Sequence, residues 1–250
     1  MEASTGQLDP APPDPAPPGF VAEAARGARR AVPVLLAVIA YGLVFGAGAV
    51  QKGLHLPEVP LMTGLNYAGG SEFAAVGLWA SPPPLLLIAA VTLLINSRHL
   101  VMGAALAPRI RHLPRRVALV ALFFMSDESW ALSYTDTLPR ADRGLRPAFS
   151  LGFYAGTAAA IYVGWVGATT LGALAGPLLG DIRQYGFDMA FPAVFLAIVA
   201  GMWRGVAAAR PWAVSLGVAA LAHLLIPGAF FVILGAGAGL AAAFCWGARA

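Results

Sequence analysis

Cysteine and lysine each occur once in this 250-residue chain, at Cys245 and Lys52, and charged residues make up only 11% of it. A single cysteine rules out an internal disulfide, and no Cys/His cluster has metal-ligand spacing, so no metal, redox centre or cofactor is expected. The chain also lacks G-x-x-x-x-G-K followed by Ser or Thr, and so cannot hydrolyse ATP by itself. It has neither G-x-S-x-G nor H-E-x-x-H, which leaves a hydrolase built on Ser71 with His99 or His223 without a motif to rest on. A non-enzyme is expected. The arginines fall in short stretches between apolar runs, not in an aromatic-interleaved patch, so the formal charge of +4 does not mark a nucleic-acid partner.

What is abundant is apolar. Hydrophobic residues make up 59% of the chain, and its mean hydropathy of +0.74 accompanies a charged fraction far below the roughly 25% of soluble domains. The expected class is an all-α polytopic membrane protein embedded in a lipid bilayer. Its 29 glycines and 20 prolines fit that class, because small residues let membrane helices approach closely and freed backbone groups find partners within a bundle. Gly164, Gly167, Gly172 and Gly176 read as packing glycines.

Met1 to Gly19 holds six prolines together with Asp9 and Asp14, a composition with little capacity for helix or core. Residues 1–30 are expected to form a disordered cytoplasmic tail and residues 31–250 a single transmembrane domain. The acidic, proline-rich lead does not resemble a cleavable signal. Eight apolar segments follow, near 31–50, 59–80, 84–107, 117–138, 148–176, 187–203, 212–226 and 229–247, giving a bundle of seven to eight membrane segments.

Lys and Arg are retained on the cytoplasmic side. If all segments cross and the N-terminus is inside, nine lie inside and six outside. If segments two and four instead enter and return on one side, hinged at Gly69-Gly70 and Ser126-Asp127, the split becomes thirteen to two, with only Lys52 and Arg183 outside. The charge rule favours two re-entrant or discontinuous segments; the all-crossing arrangement is the alternative.

Ionisable side chains interrupt segments two, three and four: Glu72, then Arg98 and His99, then Asp127 and Glu128. Such groups are costly at bilayer depth and mark a solute or ion pathway unless they pair structurally. Gly69 and Gly70 relax the backbone before Ser71 and Glu72, so N–H groups and a hydroxyl could meet a carboxylate while Glu72 carries a proton. Asn96, His99 and Gly103 share one helical face. Arg98 needs a counter-charge, with Asp127 or Glu128 as the expected source. Ser126-Asp-Glu-Ser129 puts polar groups on all sides of a helix, so segment four must be enclosed. The candidate substrate-binding or coupling residues are therefore Gly69, Gly70, Ser71, Glu72, Asn96, Arg98, His99, Asp127 and Glu128. Asp136 and Arg140 are expected to be solvated near an interface.

Tyr41-Gly-Leu-Val-Phe-Gly46, Ala68-Gly-Gly-Ser-Glu-Phe-Ala-Ala75, Asn96-Ser-Arg-His-Leu100 with Ala107-Pro108, and Ser126-Asp-Glu-Ser129, in that order, resemble the AzlC family over about Val32 to Ala250. This is the large subunit of two-component branched-chain amino-acid exporters. The resemblance implies a permease of the bacterial inner membrane that exports leucine, isoleucine, valine and methionine-like substrates, with a small AzlD-type subunit as partner. The pattern it resembles carries a neutral glutamine at the position of Glu72, a departure that bears on coupling and substrate. Alternatives from the residues alone are a permease for another small polar solute or a membrane scaffold.

Overall fold

The computed structural model describes residues 19–142, 147–179, 205–226 and 230–247. The segment expected at 187–203 lies outside these residues, as do Arg143, Arg146, Arg183, Arg204 and Arg249. Every regular element among them is helical, running α1 (Phe20–Gln51), α2 (Glu58–Asn66), α3 (Gly70–Gly77), α4 (Leu85–Asn96), α5 (Arg98–Ile110), α6 (Arg115–Phe123), α7 (Asp127–Asp142), α8 (Leu151–Ala175), α9 (Val206–Leu225) and α10 (Phe230–Gly247). Three stretches are long and apolar enough to cross a membrane: α1, α4 with α5, and α8 extended to Leu178. The protein is a helical membrane protein.

The first helix corrects the expected tail boundary. It begins at Phe20, eleven residues before residue 31, with Glu23 and Gly27 already buried. Sequence reading sets the boundary at residue 31 because Glu23, Arg26, Arg29 and Arg30 precede the first apolar run, whereas all four are helical and Glu23 and Arg26 are enclosed or partly so.

α1 and α8 form the spine, lying side by side and running in the same direction. Gly152 meets Phe20 and Glu23, Gly42 meets Ala168, and Gly176 meets Ala47, so both helices advance together. The seam is backbone against backbone: a Cβ on Gly27, Gly46, Gly156 or Gly172 would overlap a carbonyl of the facing helix, and one on Gly42 would lie 2.7 Å from the Ala168 Cβ. Dispersion at this distance is what holds apolar helices together where lipid offers no hydrophobic drive. Of the glycines expected to pack, Gly172, Gly176 and Gly164 do so; nothing faces Gly167 within 4 Å.

Segments two and four each double back against this spine, from opposite ends. Along α2, Thr63 bonds Thr169 (3.0 Å), the Gly64 carbonyl accepts from the Tyr162 hydroxyl (3.1 Å), and Tyr67 stacks edge-on to Tyr162 with centroids 4.9 Å apart. The chain thus descends α8 to its midpoint, then turns. On α3, Phe73 lies 5.1 Å from Phe45, back toward the C-terminal end of α1. Segment four does the reverse. The Tyr154 hydroxyl bonds the Ala121 carbonyl near the start of α8, and Phe124 reaches Tyr162 at 5.0 Å. α7 then returns until Asp136 and Arg140 meet Arg26 and Glu23. The doubled-back path is the one the charge rule favours, and the two tips meet at Tyr162.

Local chemistry explains both breaks. At the first tip Tyr67 ends α2 in the left-handed region at φ 44°, an uncommon conformation for a bulky residue, before Gly69 opens α3. At the second, Ser126 and Ser129 cap reciprocally: the Ser126 N–H donates to Ser129 Oγ (2.9 Å) and the Ser129 N–H to Ser126 Oγ (3.2 Å). Segment three, expected as one helix, is also interrupted. Ser97 Oγ donates to the Leu94 carbonyl at 2.6 Å, competing with the backbone ladder at the α4–α5 joint.

Candidate functional site

Three helices therefore start at half depth, α3 at Gly70, α5 at Arg98 and α7 at Asp127, and all three starts face one cavity of about 910 Å³. Helix N-termini carry unsatisfied N–H groups and the positive end of the peptide dipole, so their convergence favours a negatively charged group. Among the described residues, neither Gly69 nor Gly70 donates its N–H to another backbone group. The opposite wall is apolar, with Val38, Leu94, Ile161 and Trp165 among its members.

Arg98 spans the cavity mouth of two helices. Its Nη1 lies 2.9 Å from Asp127 Oδ2, and its Nη2 sits 3.6 Å from where a Cβ on Gly70 would be. The guanidinium thus lies in van der Waals reach of the Gly70 backbone at the start of α3. Neither partner is sealed away: side-chain exposure is 37% for Arg98 and 44% for Asp127. The arginine stands at a helix start, where the dipole opposes a cation, and Asp127 stands at one where the dipole favours an anion. Each is held by the other. Glu128, Ser126 and His99 complete the polar part of the wall. Of the two expected counter-charges, Asp127 is the one that pairs; Glu128 forms no ion pair among the described residues.

Ser71, Glu72 and Asn96 do not line this cavity. Glu72 is fully buried behind the first tip, where Oε1 accepts from the Ala68 N–H (3.0 Å) and Asn66 Nδ2 (3.4 Å) and Oε2 from Trp165 Nε1 (2.9 Å). All of these donors are neutral. Asn66 also donates to Ser71 Oγ at 3.1 Å and accepts from Asn96 Nδ2 at 3.4 Å. Glu72 is thus the post around which the broken segment is tied to α8, and sequence reading assigned it to the solute pathway because the tie to Trp165 spans 93 residues. Asn96 and His99 do share a face, as expected, but it looks onto a second, smaller chamber. Gly103 on that face receives Leu122 and Met125 of the second hairpin.

The sequence also hid a second charged cluster. Glu23 accepts from Arg26 (2.9 Å) and Arg140 (2.9 Å), and Arg26 grips Asp136 with two bonds of 2.6 and 2.8 Å. Asp136 and Arg140 are only 15% and 14% exposed, correcting their expected solvated position. The Arg26 guanidinium also lies over the Phe153 ring at 4.2 Å. The signal available in sequence was weak: Asp136 and Arg140 at i, i+4 looked like an exposed helical pair.

A helical membrane protein whose two broken hairpins meet over a central cavity, one ion pair on its wall, is the class this geometry defines. Residues 33–179, which span α1 through α8 and nearly all of the cavity wall, match the AzlC protein family model, and the chain belongs to that family. It is similar to the branched-chain amino acid transport protein AzlC of Bacillus subtilis, 26% identical over 69% of this chain and 65% of the relative. It is also similar to the inner membrane protein YgaZ of Escherichia coli, 25% identical over 75% of this chain and 76% of the relative. An uncharacterized membrane protein of Haemophilus influenzae is 26% identical over 81% of this chain and 80% of its own length. No solved structure matches the chain.

Proposed function

We propose that the chain is a secondary transporter subunit that exports branched-chain amino acids, coupled to protons and working with a small AzlD-type subunit. The observation that carries the solute class is the Arg98–Asp127 pair, 2.9 Å apart and partly open to an otherwise apolar cavity. An amino acid presents a carboxylate and an ammonium on one carbon. Arg98 and the Gly69–Gly70 amides suit the carboxylate, Asp127 and Glu128 suit the ammonium, and the apolar wall suits a branched side chain. Discontinuous helices whose ends face a midplane site are a recurring arrangement for such solutes. The Bacillus relative, named as a branched-chain amino acid transport protein, supports the same class.

Charge supports the orientation. At the N-terminal end of the α1–α8 spine stand Arg26, Arg29, Arg30, Arg111, Arg115, Arg116 and Arg140, and at the other end Lys52. By the positive-inside rule the N-terminus is cytoplasmic, in the inner membrane of a bacterium.

The test is transport by proteoliposomes loaded with labelled leucine, with and without the AzlD-type subunit and with and without a proton gradient. Leucine flux that needs the small subunit and follows the gradient is the expected result. Flux of unrelated polar solutes but not leucine would move the chain to another permease class.

A further inference from the structure

We propose that His99 is the proton-coupling group of this transporter, and that it is loaded from a water-filled side chamber rather than from the substrate cavity. The chamber, about 200 Å³, lies between the two hairpin tips and is lined by Asn66, Tyr67, Ala68, Asn96 and His99 with three apolar residues of the second hairpin. Only Tyr67, Ala68 and His99 line both this chamber and the central cavity. Of these three, His99 alone carries an imidazole, which can accept a proton at one ring nitrogen while donating from the other.

One polar atom points to water in the chamber. Asn96 Oδ1 is buried without a hydrogen-bond partner, whereas the Tyr67 hydroxyl is directed to Ser126 and Glu128 on the central-cavity side. Buried polar groups that lack protein partners are ordinarily satisfied by ordered water, and a polar space of this size holds several molecules. The imidazole is oriented for exchange. His99 Nδ1 lies 3.2 Å from the Asn96 carbonyl, which can only accept, so Nδ1 carries the hydrogen and Nε2 keeps its lone pair. Nε2 takes a proton from chamber water to give imidazolium. It returns that proton on the cavity side to water or to a carboxylate of Asp127 or Glu128, and the neutral tautomer is restored.

The other ionisable groups at this depth are less suited. Arginine stays protonated, so Arg98 cannot carry the proton. Asp127 is engaged by Arg98, Glu128 lines the central cavity but not the side chamber, and Glu72 lines neither space and has both oxygens occupied by neutral donors. The groups facing His99 are Arg98 beside it, Asp127 and Glu128 from α7 and Tyr67 from the first tip; α6 offers only Leu122 and Phe123.

This inference rests on the proton-coupled reading above, and the experiment separates the two. A chain carrying His55→Gln, His112→Gln and His223→Gln keeps His99 as its sole imidazole. Labelled with nitrogen-15 at histidine and reconstituted with the small subunit, it is titrated through the neutral range with and without leucine while leucine binding is measured separately. The expected result is an imidazole whose titration midpoint moves when leucine binds. In vesicles, His99→Gln should lower the protons moved per leucine toward zero, and Asn96→Leu, which removes the chamber's unpaired acceptor, should lower the ratio in the same direction. An imidazole indifferent to bound leucine, or an unchanged ratio in His99→Gln, overturns the proposal. A parent chain that carries no leucine overturns the transport reading and this proposal with it.

Discussion

The two charged clusters of this protein contain the same residue types in opposite circumstances. At the N-terminal end of the spine, Glu23, Asp136 and Arg140 are 5%, 15% and 14% exposed and form one network with Arg26, which is 41% exposed and links Glu23 to Asp136 while Arg140 joins through Glu23. At half depth, Arg98 and Asp127 form a single contact and are 37% and 44% exposed. Burying an ion pair costs several kcal/mol of desolvation per charge, which is recovered only with good geometry and further hydrogen bonds. The first cluster has both, with a bidentate Arg26–Asp136 contact and the Arg140 Nε bonded to the Ala148 carbonyl at 3.0 Å. The second has neither, and water or a solute can replace each partner. One cluster fastens α7 to α1; the other is left partly open to the cavity.

The largest effect should come from breaking the network. Glu23→Gln leaves Arg140 as an uncompensated buried charge and should destabilise the protein by about 3–5 kcal/mol, read as lost abundance in membranes and a lowered unfolding temperature in detergent; Arg140→Gln should cost less, because Arg26 still holds Glu23. Glu23→Gln combined with Arg140→Gln should recover part of that loss, because Arg26 still holds Asp136. If the single variants are as abundant as the parent, the two clusters do not differ as described.

An intermediate effect is expected at Glu72. Its two oxygens face the Ala68 N–H and the Trp165 Nε1–H, so it must accept on both sides. Glu72→Gln turns one acceptor into an NH₂ donor aimed at another donor, and an unsatisfied buried group costs about 1–3 kcal/mol. Thermal stability should fall while the pH dependence of leucine flux stays that of the parent. A pH profile altered by Glu72→Gln would return this residue to the coupling route.

How far the sequence could be read follows from what kind of signal each feature leaves. The two breaks were legible because Gly69-Gly70 and Ser126-Asp127 interrupt apolar runs locally, and the pairing of Arg98 with α7 followed from the cost of an isolated guanidinium in hydrocarbon. The doubling back was favoured by arginine counts alone. By contrast, the network of Glu23, Arg26, Asp136 and Arg140 joins residues more than a hundred positions apart, and nothing local at Asp136 distinguishes it from a solvated helix face. The tie of Glu72 to Trp165 was hidden for the same reason, since Trp165 sits on a helix that carries no motif. The parallel α1–α8 seam was half visible. Gly172 and Gly176 stood out, while Gly152 and Gly156, near the start of the same segment, did not.

The smallest effect on stability, and the sharpest test of the comparison, is expected at the cavity. Partly exposed ion pairs contribute roughly 0.2–1 kcal/mol, so Arg98→Gln and Asp127→Asn should each leave abundance near that of the parent. Leucine flux should nevertheless collapse in both, because each change removes a group proposed to receive one end of the amino acid. The double variant Arg98→Gln with Asp127→Asn should be as abundant as either single and equally inactive. Recovery of flux in the double variant would show that only charge balance matters there, making the pair structural. Loss of abundance comparable to that of Glu23→Gln would show that the half-depth pair is sealed from water after all, and the distinction between a fastening cluster and a partly open one would fall.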